Sequence, residues 1–502
     1  MQLQRLLAGL GLPSPLPELE IAGVAHLAAQ VQPGWLYVAW AGARADGHAF
    51  IAEALARGAV CILAQQPQPP LPVPVLLAAD PRPLLAHAAA RLQGDPAAHL
   101  TLIGVTGTNG KTTTTHLVES VLLAAGRRPG IIGTVGSRFA GQQEDAALTT
   151  PDAVALAALL ARMRTAGVDS VAMEVSSIAL DQSRVAGLRF DLAVFTNLTQ
   201  DHLDYHGSMD AYLAAKAGLL KHLKAGGRAI FNRDDGALGA LSATSAWGFS
   251  RRADVGAEVH LCAPAVLRTD GIQLQVQTPA GVCEIDSPLA GDFQVENLLA
   301  TVAIGVALQI PLATVSAGLA TAQGAPGRMQ VVSRADEPRV LVDYAHTPDA
   351  LAKALAAARS GLVGRLLCVF GCGGDRDPSK RAPMGRAAAV ADWCVLTSDN
   401  PRREDPARIA EAVVVGLRAA GGRLQVAPSA ALGGYCVEPD RRAAIARAVA
   451  AATVDDLVLV AGKGHETYQI VGTEVRELDD RVEARRALDI WRTVHLTAGG
   501  AT

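Results

Sequence analysis

Apolar residues in this chain gather into short continuous runs with polar ends, separated by longer stretches where they recur at helical spacing. Three such runs, His99–Val105, Ser170–Val175 and Asp191–Asn197, read as strands buried on both faces of a parallel sheet. Pro83–Gln93 and Thr115–Gly126 read as helices. Toward the C-terminus, Arg339–Leu351, Arg365–Asp377, Trp393–Arg402 and Asp455–Glu466 each place Gly or polar residues directly after an apolar strand. Open parallel sheets bind ligands at strand carboxyl ends, so these endings predict a second doubly wound unit with its own site.

For 502 residues, at roughly 150 residues per domain, about three domains are expected. The predicted class is α/β. A smaller N-terminal α/β domain covers 1–97 and closes near the proline-rich Gln65–Val75 stretch. A central P-loop ATPase-like parallel sheet covers 98–329, and a C-terminal Rossmann-like domain covers 330–502. Charges nearly balance, 45 Lys and Arg against 48 Asp and Glu, and no basic run marks a nucleic-acid surface. Seven dispersed cysteines suit a reducing, cytoplasmic setting, and Cys368 and Cys372 lack a second ligand pair at zinc-site spacing. No run of about 18 uninterrupted apolar residues occurs, so no membrane span is expected. The N-terminus lacks a signal-peptide pattern.

Gly104–Thr113 reads G-V-T-G-T-N-G-K-T-T between a strand and a helix. Glycines let backbone N–H groups approach phosphate oxygens, and the helix N-terminus adds partial positive charge. Gly107, Thr108, Asn109, Gly110, Lys111, Thr112 and Thr113 are therefore candidate ATP contacts, Lys111 reaching the β/γ-phosphates and Thr112 a Mg²⁺ ion. The first Gly stands one residue earlier than in the strict P-loop pattern. Glu174 and His202 fall at strand carboxyl ends beside the loop, where a carboxylate and an imidazole can complete Mg²⁺ coordination. Taken singly, Glu174 reads rather as an ion-pair partner, His202 as a helix-capping or core histidine, and Lys216 as a solvated helix residue.

The loop T-G-T-N-G-K-T-T resembles the Mur ligases and the related folylpolyglutamate synthetases. Asn197–Gly207, containing Asp201-His202, and Ala214–Leu220, containing Lys216, extend the resemblance. It implies that Lys216 is carbamylated and bridges to magnesium. It implies Asn297 near the adenine, Arg328 at the γ-phosphate, and Asp343, in the motif that holds His346, at the ribose or in domain positioning. Catalytic roles fall to Lys111, Lys216, Arg328 and His202.

Phe370–Arg381, Ser398–Asp405 and Ala461–Gln469 resemble the branch of the family that adds meso-2,6-diaminopimelate to a UDP-N-acetylmuramoyl-L-Ala-D-Glu precursor of peptidoglycan. Diaminopimelate carries an amino-acid head that lysine lacks. Its carboxylate needs a cation and its ammonium an acceptor, which Arg402, Asp399 and Glu466 can supply. The matching positions are Arg376, Asp399, Asn400, Pro401, Arg402, Gly462 and Glu466. Without the flanking motifs, Asp-Asn-Pro-Arg reads as a polar turn. Matches for the UDP-dipeptide are Ala43, Arg44, Ala45, Thr149, Thr150, Ser176, Gln182 and Arg184.

The resemblance departs in places. Leu27, Ala28 and Ala29 stand where Asp-Ser-Arg is usual, Leu148 for Asn, Ile178 for His, and Gln294 for Asn. The first two changes remove polar groups from the expected UDP-sugar side. The implied reaction is ATP-dependent amide ligation through an acyl phosphate, with ATP and Mg²⁺, by a cytoplasmic monomer acting on small molecules. A sister ligase for another amino acid or for folate, and a catalytically dead scaffold, remain open at this point.

Overall fold

The computed structural model describes residues 1–42, 45–239, 241, 246–268, 271–334, 336–428 and 433–498. The chain divides into two compact units. One comprises Met1–His260, Gln277–Gly281 and Leu299–Gly318, and the other Leu261–Val276, Val282–Leu298 and Leu319–Thr502.

The first unit holds two sheets. Strands β1 (Gly23–Ala25), β2 (Trp35–Ala39), β3 (Ala59–Ala64) and β4 (Val75–Leu77) pair in parallel in that order. The larger sheet contains β5 (Thr101–Thr106), β6 (Pro129–Gly133), β7 (Gly136–Phe139), β8 (Gln142–Glu144), β9 (Ser170–Glu174), β10 (Phe190–Phe195), β11 (Leu223–Asn232), β12 (Trp247–Ser250) and β13 (Val259–Leu261). Its order is β8-β7-β6-β9-β5-β10-β11-β12-β13. The chain leaves β5 for β6, returns through β9, and crosses to β10 on the other side of β5. That reversal opens a crevice at the carboxyl end of β5, where parallel sheets bind ligands. Helix Arg82–Leu92 packs on helix Ala153–Thr165, with Ala88 and Ala89 in one cluster with Val154 and Ala157 and Ala86 in another with Ala153. Gly187 lets the chain press against the Ala86 carbonyl, a space a Cβ would fill.

In the second unit, β14 (Val266–Arg268), β15 (Gly271–Thr278) and β16 (Gly281–Ser287) form an antiparallel meander. A doubly wound sheet follows, made of β17 (Gln330–Val331), β18 (Arg339–Asp343), β19 (Leu366–Phe370), β20 (Trp393–Leu396), β21 (Arg423–Leu424), β22 (Gly434–Val437) and β23 (Leu457–Ala461). Its order is β17-β18-β23-β19-β20-β22-β21, and only β17 is antiparallel. The strand period of two sorts its residues between two cores. Leu366, Cys368, Phe370, Leu457 and Leu459 meet helices Pro348–Arg359, Arg381–Ala388 and Pro406–Ala419. Leu367, Val369, Val458 and Val460 meet helices Arg441–Ala450 and Asp480–Ala498. Apolar residues on both faces account for the continuous hydrophobic runs read from the sequence.

The Arg441 and Asp480 side chains are wholly buried and joined by two hydrogen bonds of 2.7 Å, Nε to Oδ1 and Nη2 to Oδ2. A third bond, Nη2 to the Ala461 carbonyl at 2.9 Å, ties both helices to the carboxyl end of β23.

Candidate active site

At the end of β5 the chain turns through Gly107 (φ +149°) and Gly110 (φ +84°) before entering helix Lys111–Ala124. A Cβ on Gly107 would run into the Thr196 hydroxyl. The turn is held from the carboxyl end of β10. Asn109 donates its backbone N–H to Asn197 Oδ1 (2.8 Å), Asn197 Nδ2 donates to the Asn109 carbonyl (3.2 Å), and so does Thr196 Oγ1 (2.6 Å). Thr108 N–H donates to the Asn197 carbonyl at 3.0 Å. Lys111 Nζ donates to the carbonyls of Gly107 (2.8 Å) and Thr108 (2.9 Å). Thr112 and Thr113 are buried in the first helical turn.

Lys216 is buried, against the residue-by-residue reading of a solvated position. Its Nζ donates to the same Gly107 carbonyl at 2.8 Å and lies 4.4 Å from the Tyr212 ring centroid, one helical turn earlier. Burial, reinforced by the Lys111 charge, pushes the Lys216 amine down to about 6. Tyr212 is the hub of this corner. Its hydroxyl lies 3.2 Å from Thr108 Oγ1, and its ring stands 6.2 Å edge-on to His202 and 5.2 Å from His206. His202 occupies a left-handed position (φ +51°) at the start of a short helix and is half-exposed. Spacing of four between Tyr212 and Lys216 was the available signal for the pair.

Glu174 ends β9 with its side chain buried. Its Oε1 accepts Thr134 N–H (2.7 Å) and its Oε2 the Thr134 hydroxyl (3.1 Å). Thr134 Oγ1 lies 3.1 Å from Thr149 Oγ1. Thr150 donates to the Glu174 carbonyl (2.9 Å), accepts Ser176 N–H (3.1 Å), and accepts Arg184 Nη1 on its own carbonyl (2.8 Å). Arg184 also grips Gln182 Oε1 through Nε (3.1 Å) and Nη2 (2.6 Å). Thr149, Thr150, Ser176, Gln182 and Arg184, far apart in sequence, thus form one network continuous with Glu174. Thr134, which links the two sets, escaped the sequence reading. His26 lies in the field of Asp152 and Arg184, stacked on Trp40 at 5.4 Å, and its pKa is lowered mainly by burial. Of the residues that replace the usual polar ones, Leu27 and Leu148 are exposed and Ala28 is buried. Ala45 accepts the Gly42 N–H at 3.0 Å, while Ala43 and Arg44 lie outside the described residues.

In the second unit, Asn297 donates to Gln294 Oε1 at 2.8 Å inside helix Gln294–Ala307. The Asp343 carboxylate accepts Met329 N–H and Ala345 N–H, each at 2.8 Å, and burial raises its pKa. The Arg328 guanidinium sits 4.7 Å from the Tyr344 ring centroid. His346 Nδ1 lies 2.8 Å from the Tyr344 carbonyl.

The loops after β19, β20 and β23 interlock through glycines. Gly374 leaves no room for a Cβ beside the Pro401 carbonyl. Gly462 (φ +121°) would place a Cβ 2.7 Å from Asp399 Oδ2. Asn400 is buried. Its Nδ2 donates to Glu466 Oε2 (3.0 Å), and its Oδ1 accepts Ile470 N–H (2.9 Å) and Lys463 Nζ (3.2 Å). Arg402 is left-handed (φ +53°), and its Nη1 donates to the Gly374 carbonyl at 2.8 Å. The Gly373 Cα hydrogen points toward this guanidinium and toward the Arg376 stem. Asp399, Asn400, Pro401, Arg402, Gly462 and Glu466 are therefore one constellation, with Arg376 at its edge. Lys463, central to it, was not singled out from the sequence.

Among the described residues, no three His, Cys, Asp or Glu side chains converge on a metal position. No described helix is long and apolar enough to cross a membrane.

Three family models match the chain: the Mur ligase family catalytic domain over residues 20–93, the Mur ligase middle domain over 105–305, and the Mur ligase glutamate ligase domain over 327–464. The chain is 46% identical over 495 residues to the UDP-N-acetylmuramoyl-L-alanyl-D-glutamate--2,6-diaminopimelate ligase of Gloeobacter violaceus, covering 97% of this chain and 98% of that one. It is 46% identical to the enzyme of the same description from Synechococcus elongatus, covering 94% of each. A solved structure described as UDP-N-acetylmuramoyl-L-alanyl-D-glutamate--2,6-diaminopimelate ligase superposes with a TM-score of 0.74 at 32% identity, covering 98% of this chain and 99% of that one.

Proposed function

Because the chain belongs to the Mur ligase family, with its three-domain α/β fold, we infer that it is an ATP-dependent ligase of peptidoglycan synthesis. It joins 2,6-diaminopimelate to the D-Glu γ-carboxylate of UDP-N-acetylmuramoyl-L-alanyl-D-glutamate. The observation that carries the choice of amino acid is the hydrogen bond from Asn400 to Glu466, which locks the Asp399–Arg402 turn to the Gly462–Glu466 turn. Residues 1–97 are assigned to the UDP substrate, 98–329 to ATP and 330–502 to the amino acid. The enzyme is assigned as a cytoplasmic monomer.

A free carboxylate acylates poorly because it lacks a good leaving group, so the γ-carboxylate first attacks the γ-phosphorus to give an acyl phosphate and ADP. The backbone of Gly107–Gly110 and the N-terminus of helix Lys111–Ala124 hold the phosphates. Lys111 and Arg328 neutralise the charge that develops on the transferring group. Thr149, Thr150, Ser176, Gln182 and Arg184 hold the dipeptide, with Asn297 and Asp343 on adenine and ribose. The amine of diaminopimelate then attacks the acyl carbon and phosphate departs. The Thr112 hydroxyl and the Glu174 carboxylate are buried oxygen donors of the kind Mg²⁺ takes, and they fit it together with His202 and a carbamate on Lys216. Mg²⁺ bound there supplies Lewis-acid stabilisation of phosphoryl charge. A neutral, buried Lys216 amine suits carbamate formation, in which its lone pair attacks CO₂ and a proton is released.

Phosphate release on mixing ATP, the UDP-dipeptide and meso-diaminopimelate tests the assignment. Release with diaminopimelate and not with lysine is expected, and release with lysine or glutamate in its place would redirect it to a sister ligase.

A further inference from the structure

Lys463 is the one lysine among the described residues whose side chain is completely buried and paired with a carboxylate, the partly buried Glu466. Its Nζ lies 3.0 Å from Glu466 Oε2 and 3.2 Å from Asn400 Oδ1, with the Tyr468 ring centroid at 5.5 Å. Asn400 Nδ2 closes the triangle onto the same Glu466 oxygen at 3.0 Å. A buried ammonium is costly unless paired and hydrogen-bonded, so three side chains on two loops are obliged to keep one arrangement. Both donors converge on Oε2. The other oxygen, Oε1, is left as the acceptor that the carboxylate presents to a ligand.

We propose that Lys463 is a positioning residue for the amino-acid substrate: it orients the Glu466 carboxylate and locks the Asp399–Arg402 turn, without touching the substrate itself. The proposal rests on the reading of Glu466 as a diaminopimelate contact. Removing the ammonium leaves Glu466 with one donor instead of two and frees Asn400 Oδ1 on that side, so Oε1 loses its fixed direction. A hydrogen bond to a charged group corresponds to about 10- to 100-fold in an equilibrium constant. The loss falls on binding of the amino acid and not on phosphoryl transfer, which is assigned to other residues, Lys111 and Arg328 among them.

The test is steady-state kinetics of the full-length enzyme with ATP, UDP-dipeptide and meso-diaminopimelate, for wild type, Lys463→Met, Glu466→Gln and the double variant. Lys463→Met should raise the diaminopimelate KM about 10- to 100-fold, with kcat and the KM values of ATP and UDP-dipeptide within about threefold of wild type. The double variant should be no worse than the poorer single one, because both act through the same carboxylate. Effects that multiply, or an ATP KM that rises in parallel, overturn the proposal and make Lys463 a packing residue. Should Lys463→Met not accumulate as folded protein, Lys463→Gln, which keeps a donor, carries the same comparison. Failure of both to fold also overturns the positioning role. A Glu466→Gln enzyme with a wild-type diaminopimelate KM removes instead the assignment of Glu466 on which the proposal stands.

Discussion

Arg402→Ala separates recognition from architecture at the amino-acid site. The backbone of residue 402 is held by neighbours: its N–H donates to the Ile470 carbonyl (3.0 Å) and its carbonyl accepts Gly472 N–H (2.6 Å). Alanine inherits the same left-handed strain at φ +53°, so the backbone contribution is nearly unchanged. Within the protein the substitution removes the Nη1 bond to Gly374, about 1 kcal/mol. Toward the ligand it removes a charge-assisted, forked interaction with the distal carboxylate of diaminopimelate, about 3 kcal/mol or roughly 100-fold in KM. Lysine lacks that carboxylate, so its own KM should change by less than about threefold and the preference for diaminopimelate should fall roughly 100-fold. Arg402→Lys, which keeps the charge and loses the fork, should lie between. The assay is phosphate release against varied diaminopimelate and varied lysine, with the ATP KM as control. A variant that keeps the wild-type preference ratio, or one in which the ATP KM rises equally, refutes the assignment.

Lys111→Ala should cut kcat by at least about 100-fold, because it removes the charge that meets the transferring phosphoryl group; wild-type turnover would remove the phosphate-loop assignment. Lys216 should be reactive because its amine, pushed down to about 6, is mostly neutral at pH 7.5. CO₂-free enzyme should then lose activity and regain it with bicarbonate, with Lys216→Ala unresponsive. The sign for stability follows: a lysine lowered on folding binds fewer protons than in the unfolded chain, so stability rises as pH increases from about 6 toward 10.5, measurable as a rising denaturation midpoint. Asp480→Ala strands the buried Arg441 guanidinium and should lose about 3–5 kcal/mol of stability, seen as a lower urea midpoint; an unchanged midpoint would mean that the pair is dispensable.

The elements were legible because burial on both faces leaves a continuous apolar run, and β5, β9, β10, β19 and β23 all carry one. The glycine turns were legible because left-handed backbone and close approach leave few other residues possible. What the sequence could not display was the burial of charge. Lys216 lies on a helix whose hydrophobic pattern says nothing of the carbonyl it reaches, and only the fold brings Gly107 to its tip. Thr134 and Lys463 were missed for the same reason, since each acts by joining segments remote in sequence. The packing of helix Arg82–Leu92 on helix Ala153–Thr165 likewise depends on small residues meeting, which no single segment records.

The two units solve one physical problem twice. In each, a loop at a strand carboxyl end is clamped by an asparagine that bonds across to another loop, Asn197 to Asn109 and Asn400 to Glu466. Each clamped loop also meets a buried lysine facing a tyrosine ring, Lys216 with Tyr212 at the Gly107 carbonyl and Lys463 with Tyr468 at Asn400. The partners differ, and the difference sets the chemistry. Lys463 meets a carboxylate, so its charge is spent on geometry. Lys216 is buried against a neutral carbonyl, and burial together with the repelling charge of Lys111 outweighs the attraction of Asp201, which favours the uncharged, nucleophilic amine. Exchanging those surroundings would exchange the roles. A carboxylate placed beside Lys216, as in Tyr212→Glu one helical turn before it, should raise its pKa and suppress bicarbonate-dependent activity while leaving the diaminopimelate KM unchanged. A bicarbonate response identical to wild type in that variant would show that an added counter-charge does not decide whether Lys216 is reactive.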